Sequence, residues 1–203
     1  MFKLEISDWD VYYLHNYIRN DDRRIANLND RKISVKILNY KHGKKPEIRL
    51  FTRELMKSIS YLSNYIIDEN FEKLALVSIP PSHVDKFSPI QESINQIKKW
   101  YDIGKTKTDF NCQYEILNAN ILIRHSNVNS AHLKGPRPTY EDHINSILFN
   151  NDYIFDKTAF ILIDDITTTG TIMKACGDIL IKKGIEKNSI YKLAISKTVH
   201  DND

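Results

Sequence analysis

The chain has 203 residues, enough for one α/β domain with a sizeable core, and its 41% apolar and 27% charged residues are ordinary for a globular protein. Its net charge of +3 is too small to argue for nucleic acid by itself, so direct nucleic-acid binding is not expected, and no apolar run reaches the roughly 18 residues that span a bilayer. Cys112 and Cys176 lack metal-ligand or disulfide spacing and read as reduced thiols in a cytoplasmic protein.

In chain order, residues 11–18 read as the start of a helix, with Val11, Leu14 and Ile18 at helical spacing. Asp21, Asp22, Arg23 and Arg24 form a mixed-charge run that reads as a solvated turn. Ile33, Val35 and Ile37 alternate with polar residues, as in a half-buried strand, and residues 40–46 break it. Residues 50–67 read as a helix, with Leu55, Ile59, Leu62 and Ile66 on one stripe. Residues 74–79 are a buried-strand candidate that ends in Pro80 and Pro81, which cannot continue a central strand. Ile90, Ile94, Ile97 and Trp100 mark another helix.

Gly104-Lys105-Thr106 looks like the end of a phosphate-binding P-loop, but the glycine required five residues earlier is Lys99, so residues 104–108 read as a polar connector. Residues 114–117 and 119–123 are strand-like. Residues 124–139 form a long polar stretch, of a length that in a compact domain carries function or disorder. Thr139 reads as an N-cap, with Asp142 three residues on, opening a helix through Ile144, Ile147 and Leu148. His125, His132 and His143 read as loop or surface residues. Ile172, Cys176, Ile179 and Leu180 give the next helix its apolar face, Gly184 closes it, and residues 190–195 form the last strand. Strands alternating with helices predict an α/β fold with a mostly parallel central sheet flanked by helices.

Residues 160–171 carry the chemistry. Phe160 to Ile163 form an apolar run that leads into Asp164 and Asp165, and Ile166, Thr167, Thr168, Thr169, Gly170 and Thr171 follow. The acids sit where such a strand is expected to leave the sheet, at the end where open α/β sheets bind ligands. Two carboxylates accept hydrogen bonds from a sugar diol or hold a hydrated magnesium ion. The turn supplies hydroxyls and backbone N–H groups at a helix N-terminus, which suits a phosphate.

Residues 160–171 resemble the phosphoribosyl pyrophosphate (PRPP) signature of type I phosphoribosyltransferases. The order of weaker features is most similar to ComF-type, competence-associated members: Asn39 to Gly43 before a helix, Val77 to Pro81 at a strand end, Arg124 before a long loop, and Ile195 to Thr198 at the close. The resemblance covers residues 33–203 and leaves 1–32 as a small N-terminal extension, open as a hood over the acceptor. It departs from the family at Ile172, where a small or hydroxyl residue is common, and residues 1–32 hold none of the usual cysteines.

The resemblance implies that Asp164 and Asp165 contact the ribose hydroxyls and, through water, Mg2+. It implies that residues 167–171 bind the 5′-phosphate, and that Pro80, Ser82, His83 and Lys86 face the pyrophosphate. Arg124, Lys134 and Arg137 lie in or beside the region that matches the family's mobile loop, and the resemblance implies a catalytic role for them, stabilising charge on the departing pyrophosphate as the loop closes. The implied partners are PRPP and an unidentified acceptor, and a homodimer stays open. The rival reading is a non-catalytic PRPP- or nucleotide-binding regulator linked to DNA uptake or other DNA handling.

Overall fold

The computed structural model describes residues 4–7, 10–18, 28–65, 67–68, 70–104, 112–128, 137–150 and 155–199. Asp21 to Arg24, Ile66, Lys105 to Thr108, Lys134 and His132 lie outside them. The central feature is a six-stranded sheet. Its strands are β1 (Glu5–Ile6), β2 (Tyr12–Tyr17), β3 (Lys73–Ser78), β4 (Glu115–Asn118), β7 (Thr158–Thr167) and β8 (Ile190–Thr198). The spatial order is β1-β2-β8-β7-β3-β4, with every pairing parallel except the short β1 on β2. Strands β5 (Leu122–Arg124) and β6 (Ile147–Phe149) form a separate antiparallel ribbon.

The helices are α1 (Leu28–Lys41), α2 (Lys45–Tyr65), α3 (Pro89–Asp102), α4 (Tyr140–Ser146) and α5 (Thr171–Lys182). Helices α1, α2 and α3 share one core with Ile161 and Ile163 of β7, while α5 shares the other core with Phe160 and Leu162. Alternate β7 residues thus feed opposite layers, as strand geometry requires. Residues 159–163 are at most 1% exposed, and each large side chain so buried contributes roughly 1.5–3 kcal/mol.

Local chemistry sets the helix ends. Ser88 caps α3 by accepting the Gln91 N–H at 3.1 Å, with Pro89 in the first turn. Thr139 and Asp142 form the capping box of α4. Gly184, at φ +90°, follows the end of α5, where the Ile185 N–H reaches Leu180 O. Between α1 and α2, Gly43 turns the chain at φ +76°.

Three expected elements differ. Residues 11–18 contain the strand β2, not a helix: Tyr12 to Tyr17 is rich in β-favouring aromatics and pairs with β8. Residues 33–37 lie in α1, not a strand. Val35 is 47% exposed, whereas Ile37 and Tyr40 are fully buried, so the core-facing set has helical spacing. Helix α4 stops at Ser146, and Ile147 and Leu148 belong to β6, paired with β5. The segment before residue 33 adds β1 and β2 to the common sheet, and α1 runs across that boundary. No helix among the described residues is long and apolar enough to cross a membrane.

Candidate functional site

The sheet opens between β3 and β7. Ser78 pairs with Ile163, and the Ile79 N–H still donates to Ile163 O at 2.9 Å. Pro80 follows and has no N–H, so the ladder ends there. On its other side β7 continues beside β8 to Thr167 opposite Lys197. The strand therefore runs past the acids and does not end at them. From this point the chain winds outward in opposite directions, β3 to β4 and β7 to β8. Ligands of open α/β sheets bind in such a crevice.

A cleft of about 530 Å³ occupies it. Its walls include Asp164, Asp165, Thr167, Thr168, Thr169, Gly170, Thr171, Pro80, Ser82, Lys86, Arg124 and Arg137. The described residues singled out from the sequence are thus brought together, apart from His83, whose Nδ1 bonds Ser82 Oγ at 2.9 Å and which is outside the cleft lining.

The acids keep the strand's alternation. Asp165 faces the α1 layer, with its Oδ1 3.8 Å from Lys41 Nζ. Asp164 faces the α5 layer, close enough to Cys176 for its charge to oppose ionisation of that buried thiol. Asp164 Oδ1 accepts the Asp165 N–H at 2.8 Å, and Asp165 Oδ1 accepts the Ile166 N–H at 2.7 Å. Burial, and next the neighbouring Asp165 charge, raise the Asp164 carboxyl above the usual range; Lys41 works against them. A bound cation or a pair of hydroxyl donors would relieve that repulsion.

The turn is equally specific. Thr168 Oγ1 and Thr198 Oγ1 are 3.0 Å apart and tie it to the end of β8. Thr169 and Thr171 hydroxyls bond across it at 2.8 Å. Gly170, at φ +66°, occupies the N-cap of α5 without a side-chain cap. The first N–H groups of that helix and its partial positive charge therefore face the cleft.

Arg124 is 5% exposed. Its Nε donates to Pro81 O at 2.7 Å and its Nη2 to Pro80 O at 3.3 Å, while Nη1 donates to Ser146 Oγ. The guanidinium thus clamps the Pro80-Pro81 turn to α4, and burial lowers its pKa. The Val128 N–H to Ser82 O (2.9 Å) and the Val84 N–H to Asn127 Oδ1 (2.8 Å) join the same two loops.

Four cleft residues escape the sequence reading. Lys41 and His42 stand out in the sequence only as part of a family-like motif. Phe87 had no signal; its ring covers Gly43, where an added Cβ would sit 3.0 Å from Cε1. His143 is the correction: it is 7% exposed on α4, not a surface residue, and lines the cleft. Burial, then the Arg124 charge, lower its pKa to about 4, so it is neutral at pH 7, and its Nδ1 is buried without a hydrogen-bond partner among the described residues. Tyr140 holds α4 in place by donating to Asp178 Oδ2 at 2.7 Å. Cys176 is buried in the core, as expected.

Magnesium fits this donor set in one manner only. The described residues hold no group of three or more His, Cys, Asp or Glu side chains suited to a metal. Two adjacent carboxylates suit an ion that keeps its waters and is shared with a ligand's phosphates. No protein-family model and no curated protein matches the chain.

Proposed function

We propose that the cleft binds PRPP with magnesium and that the chain transfers its 5-phosphoribosyl group to a nitrogen of an as yet unidentified acceptor, releasing pyrophosphate. The observation that carries this reading is the convergence, in one crevice, of the acid pair, the threonine-glycine turn at the α5 N-terminus and the Pro80–Lys86 loop. The turn takes the 5′-phosphate and the acids take the ribose hydroxyls. Lys86 and Arg137 also line the cleft and supply positive charge for the pyrophosphate, and Arg124 fixes the carbonyls of the loop that receives it. Lys134 is a further candidate, outside the described residues.

In the transfer, the acceptor nitrogen forms a bond to C1 as the C1–oxygen bond breaks. Pyrophosphate departs with the electron pair, and the proton on the attacking nitrogen is lost to solvent. Positive charge grows on the sugar ring, and the Asp164–Asp165 pair stabilises it. Magnesium, when bound, neutralises charge on the phosphates. No side chain acts as a covalent nucleophile.

Calorimetric titration with PRPP and magnesium tests the site. Asp164→Asn combined with Asp165→Asn is expected to weaken binding by about tenfold or more, since charge-assisted bonds to the diol are lost. Unchanged affinity would sink the assignment. Pyrophosphate release across a panel of bases then tests transfer: release with one base identifies the acceptor, and silence with binding intact favours the non-catalytic binder.

A further inference from the structure

Helix α2 carries a pattern that the cleft does not use. Its positions 45, 49, 53, 57, 61 and 65 are Lys, Arg, Arg, Lys, Tyr and Tyr, and all six are exposed. Residues four apart are neighbours on a helix, so these form one oblique ridge across its solvent face. The ridge is about 30 Å long at 1.5 Å per residue. Tyr61 and Tyr65 are 40% and 75% exposed, with ring centroids 5.2 Å apart.

The four cations have no ion pair with a described residue. The acids of α2 are engaged elsewhere: Glu47 accepts from Asn39 Nδ2 at 3.3 Å, and Glu54 bonds His15 Nε2 at 2.7 Å. Residues 28–65 hold nine Lys or Arg and three Asp or Glu, a net +6 against +3 for the whole chain. All other residues together net −3. The small overall charge thus conceals one strongly basic hairpin, which weakens the composition-based argument against a polyanion.

We propose that this ridge is a docking line for single-stranded nucleic acid, with the cations along the backbone and the two tyrosines stacking on bases. Charge complementarity selects a polyanion, and adjacent exposed aromatic rings select one whose bases are unstacked. A membrane surface fits less well. The apolar face of α2, from Ile48 through Leu62, is spent on the core, which leaves no aliphatic residue on the ridge to insert. The proposal is independent of what occupies the cleft.

Fluorescence anisotropy with a labelled oligothymidine of about 20 nucleotides, longer than a typical single-strand site, provides the test. The intact chain is expected to bind, with affinity falling steeply between about 50 and 200 mM salt. Arg49→Gln with Arg53→Gln should weaken binding about tenfold or more and lower the logarithmic salt slope by about 1.4, the value for two phosphate contacts. Tyr61→Ala with Tyr65→Ala should weaken it about fivefold or more at an unchanged slope. Lys182→Gln with Lys187→Gln, which removes as much charge elsewhere, should leave binding intact. Circular dichroism confirms the fold of each variant, and Lys57→Gln alone reads the same contact if the double variant does not fold. Absence of binding at low salt would overturn the proposal. So would equal binding by the ridge variants, indifference to the tyrosines, or preference for phosphatidylserine vesicles over the oligonucleotide.

Discussion

Replacing Arg124 by methionine separates support from chemistry in the cleft. Methionine keeps much of the buried stem and removes the charge and three hydrogen bonds, to Pro80 O, Pro81 O and Ser146 Oγ. Bonds from a charged donor contribute about 1.5 kcal/mol each at the low end, roughly 4.5 kcal/mol together. Relief from holding a guanidinium away from water returns about half of that, leaving a net loss of about 2–3 kcal/mol. For a chain of this size each kcal/mol lowers Tm by about 2–4 °C, so thermal unfolding should fall by about 5–10 °C. Calorimetry on the same variant should show weakened PRPP binding, because the Pro80–Ser82 backbone is no longer held. Arg124→Lys cannot serve three acceptors at once and should recover only part of both losses. A variant that unfolds like the parent and binds PRPP normally, yet fails in transfer, would refute the clamp and place the guanidinium in the reaction itself.

Two further expectations follow from the same geometry. Asp164 has a carboxyl pKa raised above its unfolded value near 3.9, so the native state binds more protons across that interval. Its contribution to stability is therefore lost as pH rises from about 4 through the raised folded value. Asp164→Asn should flatten the fall in Tm over that range, and an unaltered pH profile would show that Asp164 is not the group responsible. Gly43→Ala and Gly104→Ala both place a side chain at positive φ, +76° and +63°, but the new Cβ meets Phe87 at 3.0 Å in the first and open space in the second. Gly104→Ala should cost about 1 kcal/mol and Gly43→Ala about 2 or more. Equal losses in denaturant titrations would show that Phe87 moves aside freely.

What the sequence discloses depends on how local the cause is. Strands β3, β7 and β8 lie inside a parallel sheet and read as short apolar runs, and α3 and α5 carry single apolar stripes. The acid pair and its turn are contiguous, so their chemistry is visible in one stretch of chain. Residues 11–18 mislead because β2 is stabilised by a partner strand distant in sequence, which no local period reports. Residues 33–37 mislead because Ser34, buried in α1, is polar for a reason visible only in three dimensions: its hydroxyl accepts the Ile18 N–H at 3.0 Å and donates to Asp30 O at 2.7 Å. His143 reaches the cleft because α4 packs on α5, a contact its own neighbours in sequence do not encode.

The pairing of β2 with β8 also bears on how the molecule is made. Tyr12 stands opposite Leu193 and Tyr17 opposite Thr198, so the inner edge of a strand synthesised early must wait for nearly the last described segment before its hydrogen bonds are met. Until then its aromatic side chains and open backbone edge are available to other chains. Long-range parallel pairing of this kind closes slowly, and the intermediates that precede it are prone to aggregate. Newly made chains should therefore depend most on chaperones in the interval before residues 190–198 leave the ribosome.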